Sequence, residues 1–279
     1  MQTGTFRKVV WDFYKENGRD DLPWRKTSDP YKILVSEMML QQTQVERVIP
    51  YYKKFIKQYP TARALSRAPL SDVLTLWQGL GYNRRAKFLH GASKYIVEHY
   101  KGKIPTDANE LEAIWGIGPY TARAVMTFAY NHDAVFIETN IRTVIIHHFF
   151  TLKLSKRNTT IYSSISDEDI GKVLTRMLPK GEARAWYSAL MDYGTYLKHS
   201  GIKTNQKMKG YAKQSKFAGS AREARGAILR ALTSGPKTKL ELLKLLPKNR
   251  GSQMKEALEQ LLKEKMIEYK NKKYYLPGL

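Results

Sequence analysis

The chain has 279 residues, a length that suits one large domain or two ordinary ones, and its 42% hydrophobic content is enough for a packed core and argues against global disorder. Lys and Arg number 48 against 25 Asp and Glu, and the resulting net charge of +23 repels itself unless a polyanion relieves it. No stretch approaches the roughly 20 apolar residues of a membrane span, so the polyanion expected is nucleic acid. With no cysteine, the chain has no disulfides, thiolate metal sites, iron–sulfur clusters or cysteine nucleophiles. The opening MQTGTFRKVVWDF lacks the apolar run of a secretory signal, so the expectation is a monomeric, cytoplasmic, nucleoid-associated protein.

In chain order, residues 45–59 (VERVIPYYKKFIKQY), 70–80 (LSDVLTLWQGL), 83–100 (NRRAKFLHGASKYIVEHY) and 170–178 (IGKVLTRML) place apolar residues three and four apart. That spacing predicts helices, and no alternation long enough for a central sheet occurs before about residue 200. Residues 107–130 read DANELEAIWGIGPYTARAVMTFAY. Asp107 and Glu110 have capping-box spacing, and Leu111 and Ile114 supply the inner face of a short helix. Gly116 and Gly118 then force a tight turn. Pro119 follows at the first position of the next helix, where its missing N–H does no harm. A glycine turn leading into a helix N-terminus presents backbone N–H groups without a side chain in the way, which suits an anion such as DNA phosphate. The six histidines lack metal-ligand spacing. His147 and His148, being adjacent on a helix, point apart and read as structural.

From Tyr196 to Arg225 the composition turns basic and rich in Gly, Ser and Asn. Eight Lys or Arg (198, 203, 207, 209, 213, 216, 222, 225) face one acid, Glu223. This reads as a linker contacting phosphate, with a merely solvated tether as the alternative. Beyond it, one helix with Ile228, Leu229 and Leu232 ends at residues 234–236. A second, from about Thr238, carries Leu240, Leu243 and Leu246 inward, and a third opens at Ser252 and carries Leu258, Leu261 and Leu262. Residues 266–276 then alternate around an Asn271-Lys272 turn as a β-hairpin. Three helices followed by a hairpin is the order of a winged helix, a fold that binds DNA or docks proteins. The domains expected are 1–200, a basic linker 201–220, and 221–279.

The segment IWGIGPYTARAV resembles the helix-hairpin-helix of the base-excision superfamily that includes endonuclease III, and especially its MutY branch. Four more segments agree in order and spacing: LPWR at 22–25, SEMMLQQTQV at 36–45, WQGLGYNRRAKFLH at 77–90 and FIETNIRTV at 136–144. The likeness covers roughly residues 8–200. It implies a mainly α, two-lobed helix-hairpin-helix DNA glycosylase fold with the active site between the lobes, here followed by the small winged-helix-like domain. It further implies double-stranded DNA with a mismatched or damaged base as partner, and a sodium or potassium ion on the main-chain carbonyls of Ile114 and Ile117. Gly116, Gly118 and Thr121 would meet the DNA backbone. The family's four-cysteine iron–sulfur cluster cannot form here, and no Nudix-like lesion-recognition domain is present in this sequence.

Breaking an N-glycosidic bond passes through an oxocarbenium-like state, which calls for an acid at the leaving base and negative charge near the sugar. Glu37 lies among Ile33, Leu34, Met38, Met39 and Leu40, where burial would keep a carboxyl protonated for delivery. The alternative is an exposed helix carboxylate. By resemblance Glu37 protonates the extruded base. Glu138 stands where the family usually has aspartate, and Asn140 matches the residue that orients that carboxylate. A plain capping role for Glu138 at the next helix is compatible with this. Tyr120 takes the place of the lysine that bifunctional members use for a Schiff base, which implies a monofunctional enzyme. The likeness assigns the wedge that fills the vacated stack to Gln42 and Tyr82, with Thr43 and Leu80 beside them and Gln41 as a further DNA contact, and lines the base pocket with Arg25. The leading expectation is excision of adenine opposite 8-oxoguanine. Excision of thymine or uracil opposite guanine, and a non-catalytic DNA-binding protein, remain the alternatives.

Overall fold

The computed structural model describes residues 1–150, 165–202, 204 and 216–278. Lys203, Lys207, Lys209 and Lys213 of the expected basic linker lie outside them. Among the described residues the fold is mainly α, as expected, with a small three-stranded sheet near the C-terminus. Each compact unit gathers separated stretches of chain. The first takes the described residues of 1–33, 106–109 and 118–213, the second those of 34–105, 110–117 and 214–279. Among the described residues no helix is long and apolar enough to cross a membrane.

The first unit is built on α11 (Ala183–His199). Trp186, Tyr187 and Leu190 are fully buried there against Phe6 and Val10 of α1 (Thr3–Asn17), Ile141 and Val144 of α9 (Thr139–Ile145), and Ile170 and Leu174 of α10 (Asp167–Met177). Burying each such side chain stabilises the fold by about 1.5–3 kcal/mol, so this cluster holds the unit together. α10 starts on a capping box, with Ser166 and Asp169 bonding reciprocally. Gly194 lets α11 touch the start of α9, because a Cβ there would lie 2.3 Å from the Asn140 carbonyl oxygen. His148 sits on this core, its Nε2 2.9 Å from the Tyr193 hydroxyl, so the structural reading of that histidine holds. Burial pushes its pKa down to about 4.

The second unit contains most of α2 (Pro30–Leu40), then α3 (Val45–Gln58), α4 (Ala62–Arg67), α5 (Leu70–Trp77) and α6 (Arg84–Tyr100). The face of α6 bearing Arg85, Leu89, Ala92 and Ile96 is buried. Phe55 meets Trp77 edge-on at 5.7 Å.

The C-terminal residues belong to this same unit. α12 (Ala221–Thr233) buries Ile228, Leu229 and Leu232 as expected, and α14 (Gly251–Lys263) buries Leu258 and Leu261. β2 (Glu268–Lys270) and β3 (Lys273–Tyr275) form the expected hairpin, and Asn271 and Lys272 both take positive φ, the signature of a two-residue type I′ turn. β1 (Lys237–Thr238) pairs with the other edge of β3. The middle helix differs from its expectation. α13 spans only Lys239–Leu243 and buries Leu242, while Leu240 is 63% exposed. Leucines at 240, 242, 243, 245 and 246 leave the helical phase undetermined, and tertiary packing chose it.

Two contacts seat the C-terminal residues on the neighbouring helices. The Pro277 carbonyl accepts the Ser71 N–H at the start of α5, at 3.1 Å. Glu264 takes Arg225 at 2.6 Å and Arg84 at 3.3 Å, and its carbonyl accepts Lys87 Nζ.

Candidate active site

In the second unit the site is built on α2. Ile33, Leu34, Val35, Met38 and Met39 leave this helix hardly any exposed face, which is the pattern of a core helix. Glu37 stands among them with only 6% of its surface exposed, so the sequence expectation of a buried carboxyl is met in position.

A buried cation fixes the chain just beyond α2. Arg85, 6% exposed, donates to the carbonyls of Met38 (2.8 Å), Met39 (2.8 Å) and Gln41 (2.6 Å). It also reaches the Thr43 hydroxyl at 3.1 Å and the Gly81 carbonyl at 3.0 Å. The Met38 and Met39 carbonyls are among the last of α2, so the guanidinium satisfies acceptors that the helix end cannot. Burial lowers the Arg85 pKa to about 10, and the group stays charged at neutral pH. One side chain thereby ties the loop bearing Gln41, Gln42 and Thr43 to the loop bearing Leu80 and Tyr82.

Both loops need unusual backbone. Gln42 has φ +55° and Tyr82 φ +48°, while Gly79 and Gly81 take φ +95° and +74°. For a bulky residue such as Tyr82 the left-handed conformation is strained and persists only where its surroundings impose it. Leu80 is buried, Tyr82 is half-buried, and Gln42 is exposed. The Arg85 guanidinium carbon lies 5.5 Å from the centroid of the Tyr82 ring.

The glycine turn has the expected local form. Leu111 and Ile114 are buried, Ile114 and Ile117 come after α7 (Ala108–Glu112), and the Ile117 N–H donates to the Ile114 carbonyl at 3.0 Å. That bond uses one of two lone pairs on Ile114, so its oxygen is still able to face a monovalent cation. Gly116 has φ +91°, and a Cβ there would lie 2.5 Å from Phe88 Cβ, which makes glycine obligatory. Gly118 caps α8 (Pro119–Tyr130) in extended backbone, with Pro119 at its first position.

Arg25, Gly118, Tyr120, Thr121, Glu138 and Asn140 fall in the first unit. Glu37, Gln41, Gln42, Thr43, Leu80, Tyr82, Ile114, Gly116 and Ile117 fall in the second. Glu138 is the N-cap of α9, its Oε1 accepting the N–H of Asn140 at 2.7 Å and of Ile141 at 3.0 Å. Asn140 Nδ2 and the Thr139 hydroxyl stand 3.3 and 3.2 Å from Oε2. Lys198 Nζ bonds the Thr139 hydroxyl at 2.9 Å, and the Glu138 charge partly offsets the lowering of the Lys198 pKa by burial. Tyr120 is half-buried, edge-on to Phe136 at 5.6 Å, and Thr121 is buried. Arg25 grips the buried Asp192 of α11 through two bonds, at 2.6 and 2.8 Å, and Arg19 takes the same carboxylate at 2.7 Å. Arg184 donates to the carbonyls of Arg25 and Thr27, fixing the segment between them.

A model of the HhH-GPD superfamily of base excision DNA repair proteins matches residues 35–164. The chain belongs to that superfamily. Among relatives of this HhH-GPD chain, an adenine DNA glycosylase of Buchnera aphidicola subsp. Baizongia pistaciae is 34% identical over 197 residues, 71% of this chain. The match spans 54% of that relative, about half its length. A thymine/uracil-DNA glycosylase of Pyrobaculum aerophilum is 33% identical over 153 residues, covering 54% of this chain and 66% of the relative. The solved structure of a thermostable thymine-DNA glycosylase superposes with TM-score 0.60 at 25% identity, over 73% of this chain and 95% of that one.

Arg85 and Asp192 carry roles that reading the sequence did not assign, and Lys198, expected in a phosphate-contacting linker, instead lies in the last turn of α11 and bonds Thr139. Arg85 had a visible signal, since it stands in phase with Leu89, Ala92 and Ile96, and a cation on an apolar stripe must find acceptors. Asp192 had a similar one within the apolar run of α11.

Proposed function

We propose that this chain is a monofunctional DNA glycosylase that removes adenine paired with 8-oxoguanine, leaving an abasic site in an uncut strand. The observation that carries the reading is the burial of Glu37 on a mostly apolar helix of a base-excision fold. The adenine DNA glycosylases among its relatives support the choice of base. The glycine turn at 116–118 and the net charge of +23 suit a duplex gripped by its phosphates.

In this mechanism Glu37 passes its proton to a ring nitrogen of the extruded adenine. The C1′–N bond breaks, and its electron pair leaves with the base. The Glu138 carboxylate, oriented by Asn140, faces the oxocarbenium carbon and takes a proton from the water whose oxygen bonds to C1′. Tyr120 supplies no amine for a Schiff base, so the strand is not cut. The wedge residues Gln42 and Tyr82 enter the vacated stack, and Tyr82 lies against the opposite base. A sodium or potassium ion on Ile114 and Ile117 would add positive charge beside the phosphate, with no part in bond breaking.

The test is a panel of labelled duplexes carrying A opposite 8-oxoguanine, T opposite G and U opposite G, followed by alkali. Alkali-dependent cleavage at A is the expected result, and Glu37→Gln should bind without excising. Strand cutting without alkali would overturn the monofunctional reading, and no cleavage of any duplex the enzymatic one. Excision of thymine or uracil opposite G is the second reading. It is favoured by the thymine/uracil relative and by the likeness to a thymine-DNA glycosylase across 95% of that chain.

A further inference from the structure

Tyr82 is held by the C-terminal residues as well as by its own loop. Arg222, second residue of α12, donates from Nη1 to the Tyr82 hydroxyl at 3.0 Å, and its guanidinium carbon lies 5.4 Å from the ring centroid. With Arg85 at 5.5 Å, two guanidinium groups attend one aromatic ring in left-handed backbone. A cation in the first turn of a helix opposes the helix dipole, so α12 itself gives no reason for an arginine at that position. The contact is also built rather than incidental, because the ion pair of Arg84 with Glu264 and the bond from Ser71 to Pro277 seat the same C-terminal residues independently.

We propose that the C-terminal residues form part of the surface that reads the DNA strand opposite the extruded base, with Arg222 as the positioning residue that sets Tyr82 there. The proposal rests on the base-excision reading, in which Tyr82 lies against the opposite base. Holding the hydroxyl end of Tyr82 fixes the ring plane offered to that base. It also brings a guanidinium, the group best suited to phosphate oxygens and purine edges, beside the strand. The C-terminal fold thus serves the catalytic chain as a fixed support for its wedge.

The experiment is a double-mutant cycle on full-length protein using Arg222→Ala, Tyr82→Phe and the pair. It reads the dissociation constant for duplexes with an uncleavable abasic analogue opposite 8-oxoguanine or G, at fixed salt. Excision rates on the matching adenine duplexes are measured alongside. Tyr82→Phe keeps the ring and deletes the acceptor of the Arg222 bond. Arg222→Ala should reduce the wild-type preference for one opposite base by about tenfold, the scale of one charge-assisted hydrogen bond, and should add little once Tyr82→Phe is present. Arg222→Lys should restore part of the preference. An unchanged preference in Arg222→Ala, simple additivity in the cycle, or a wild type with no opposite-base preference would each overturn the proposal. If the wild type binds with preference but excises nothing, the catalytic reading fails and the cycle still decides the role of Arg222. Should Arg222→Ala melt early, Arg222→Met keeps most of the aliphatic stem without donor or charge and carries the same comparison.

Discussion

Replacing Arg85 by methionine keeps the aliphatic volume and removes the fork that holds α2, the 41–43 loop and the 79–82 loop together. The carbonyls of Met38 and Met39 and the Thr43 hydroxyl lose this donor, while the Gln41 and Gly81 carbonyls keep only the weaker bonds from the Thr43 hydroxyl and Trp77 Nε1. A buried acceptor left unpaired costs about 1–3 kcal/mol, and the net effect falls below the sum because Gln41 and Thr43 are partly open to water and the desolvation of the cation is recovered. The expected loss is about 3–5 kcal/mol. For a chain of this size that corresponds to a melting temperature lower by roughly 6–20 °C. Arg85→Lys should recover less than half, since an ammonium cannot reach both loops at once. Thermal and urea unfolding measure the stability. Single-turnover excision, corrected for the folded fraction, measures whether loosening these two loops, the wedge in the proposed mechanism, costs about 10²-fold in rate beyond stability. A methionine variant melting within about 2 °C of wild type would refute the reasoning that Arg85 is what holds these loops.

Glu138→Gln keeps an oxygen for the Asn140 and Ile141 N–H groups but loses the charge, so it should melt within about 1 kcal/mol of wild type while excision falls about 10²-fold or more; parallel loss of both would reduce Glu138 to a helix cap. Asp192→Asn strips the shared counter-charge from Arg19 and Arg25 and should cost about 3 kcal/mol in urea unfolding, with an unchanged midpoint counting against that ion cluster. His148 has a folded pKa of about 4, below its ordinary 6.5, so the unfolded chain binds more protons between those values. Stability should therefore fall as pH drops from about 6.5 toward 4 and be unaffected by this group above about pH 7. His148→Asn should flatten that part of a melting temperature profile, and an unchanged slope would remove His148 as its source.

The helices were legible because their signal is local. A three-and-four spacing, a glycine turn and a proline at a helix start each fix backbone within a few residues, and α6, α8, α12 and α14 obey them. The type I′ turn at Asn271 and Lys272 was readable for the same reason. The parts that could not be read depend on partners far apart in sequence. Arg85 meets carbonyls more than 40 residues away, and Asp192 meets Arg25 across 167. The phase of α13 was lost for the opposite reason, since its leucines mark every face and only packing distinguishes Leu242 from Leu240. Glu37 stood out because a carboxyl in an apolar run is conspicuous, whereas a buried arginine beside a second arginine, Arg84, passes for one more of the 48 Lys and Arg residues.

The geometry at Glu138 bears on the added methylene that separates this chain from the aspartate usual in its family. An aspartate N-cap accepts from the N–H groups two and three residues on, and Glu138 Oε1 accepts from those same groups, at Asn140 and Ile141. The longer side chain therefore curls back until the helix start fixes its carboxylate, and its end point is set by backbone donors rather than by its length. The helix dipole favours the anion at that point, and Lys198, bonded to Thr139, adds a positive charge nearby. A carboxylate so anchored keeps Oε2 toward Asn140 and Thr139 rather than on the cap. Capping thus occupies Oε1 and leaves Oε2 beside Asn140 and Thr139, so a glutamate here is compatible both with the cap and with the catalytic role proposed for it.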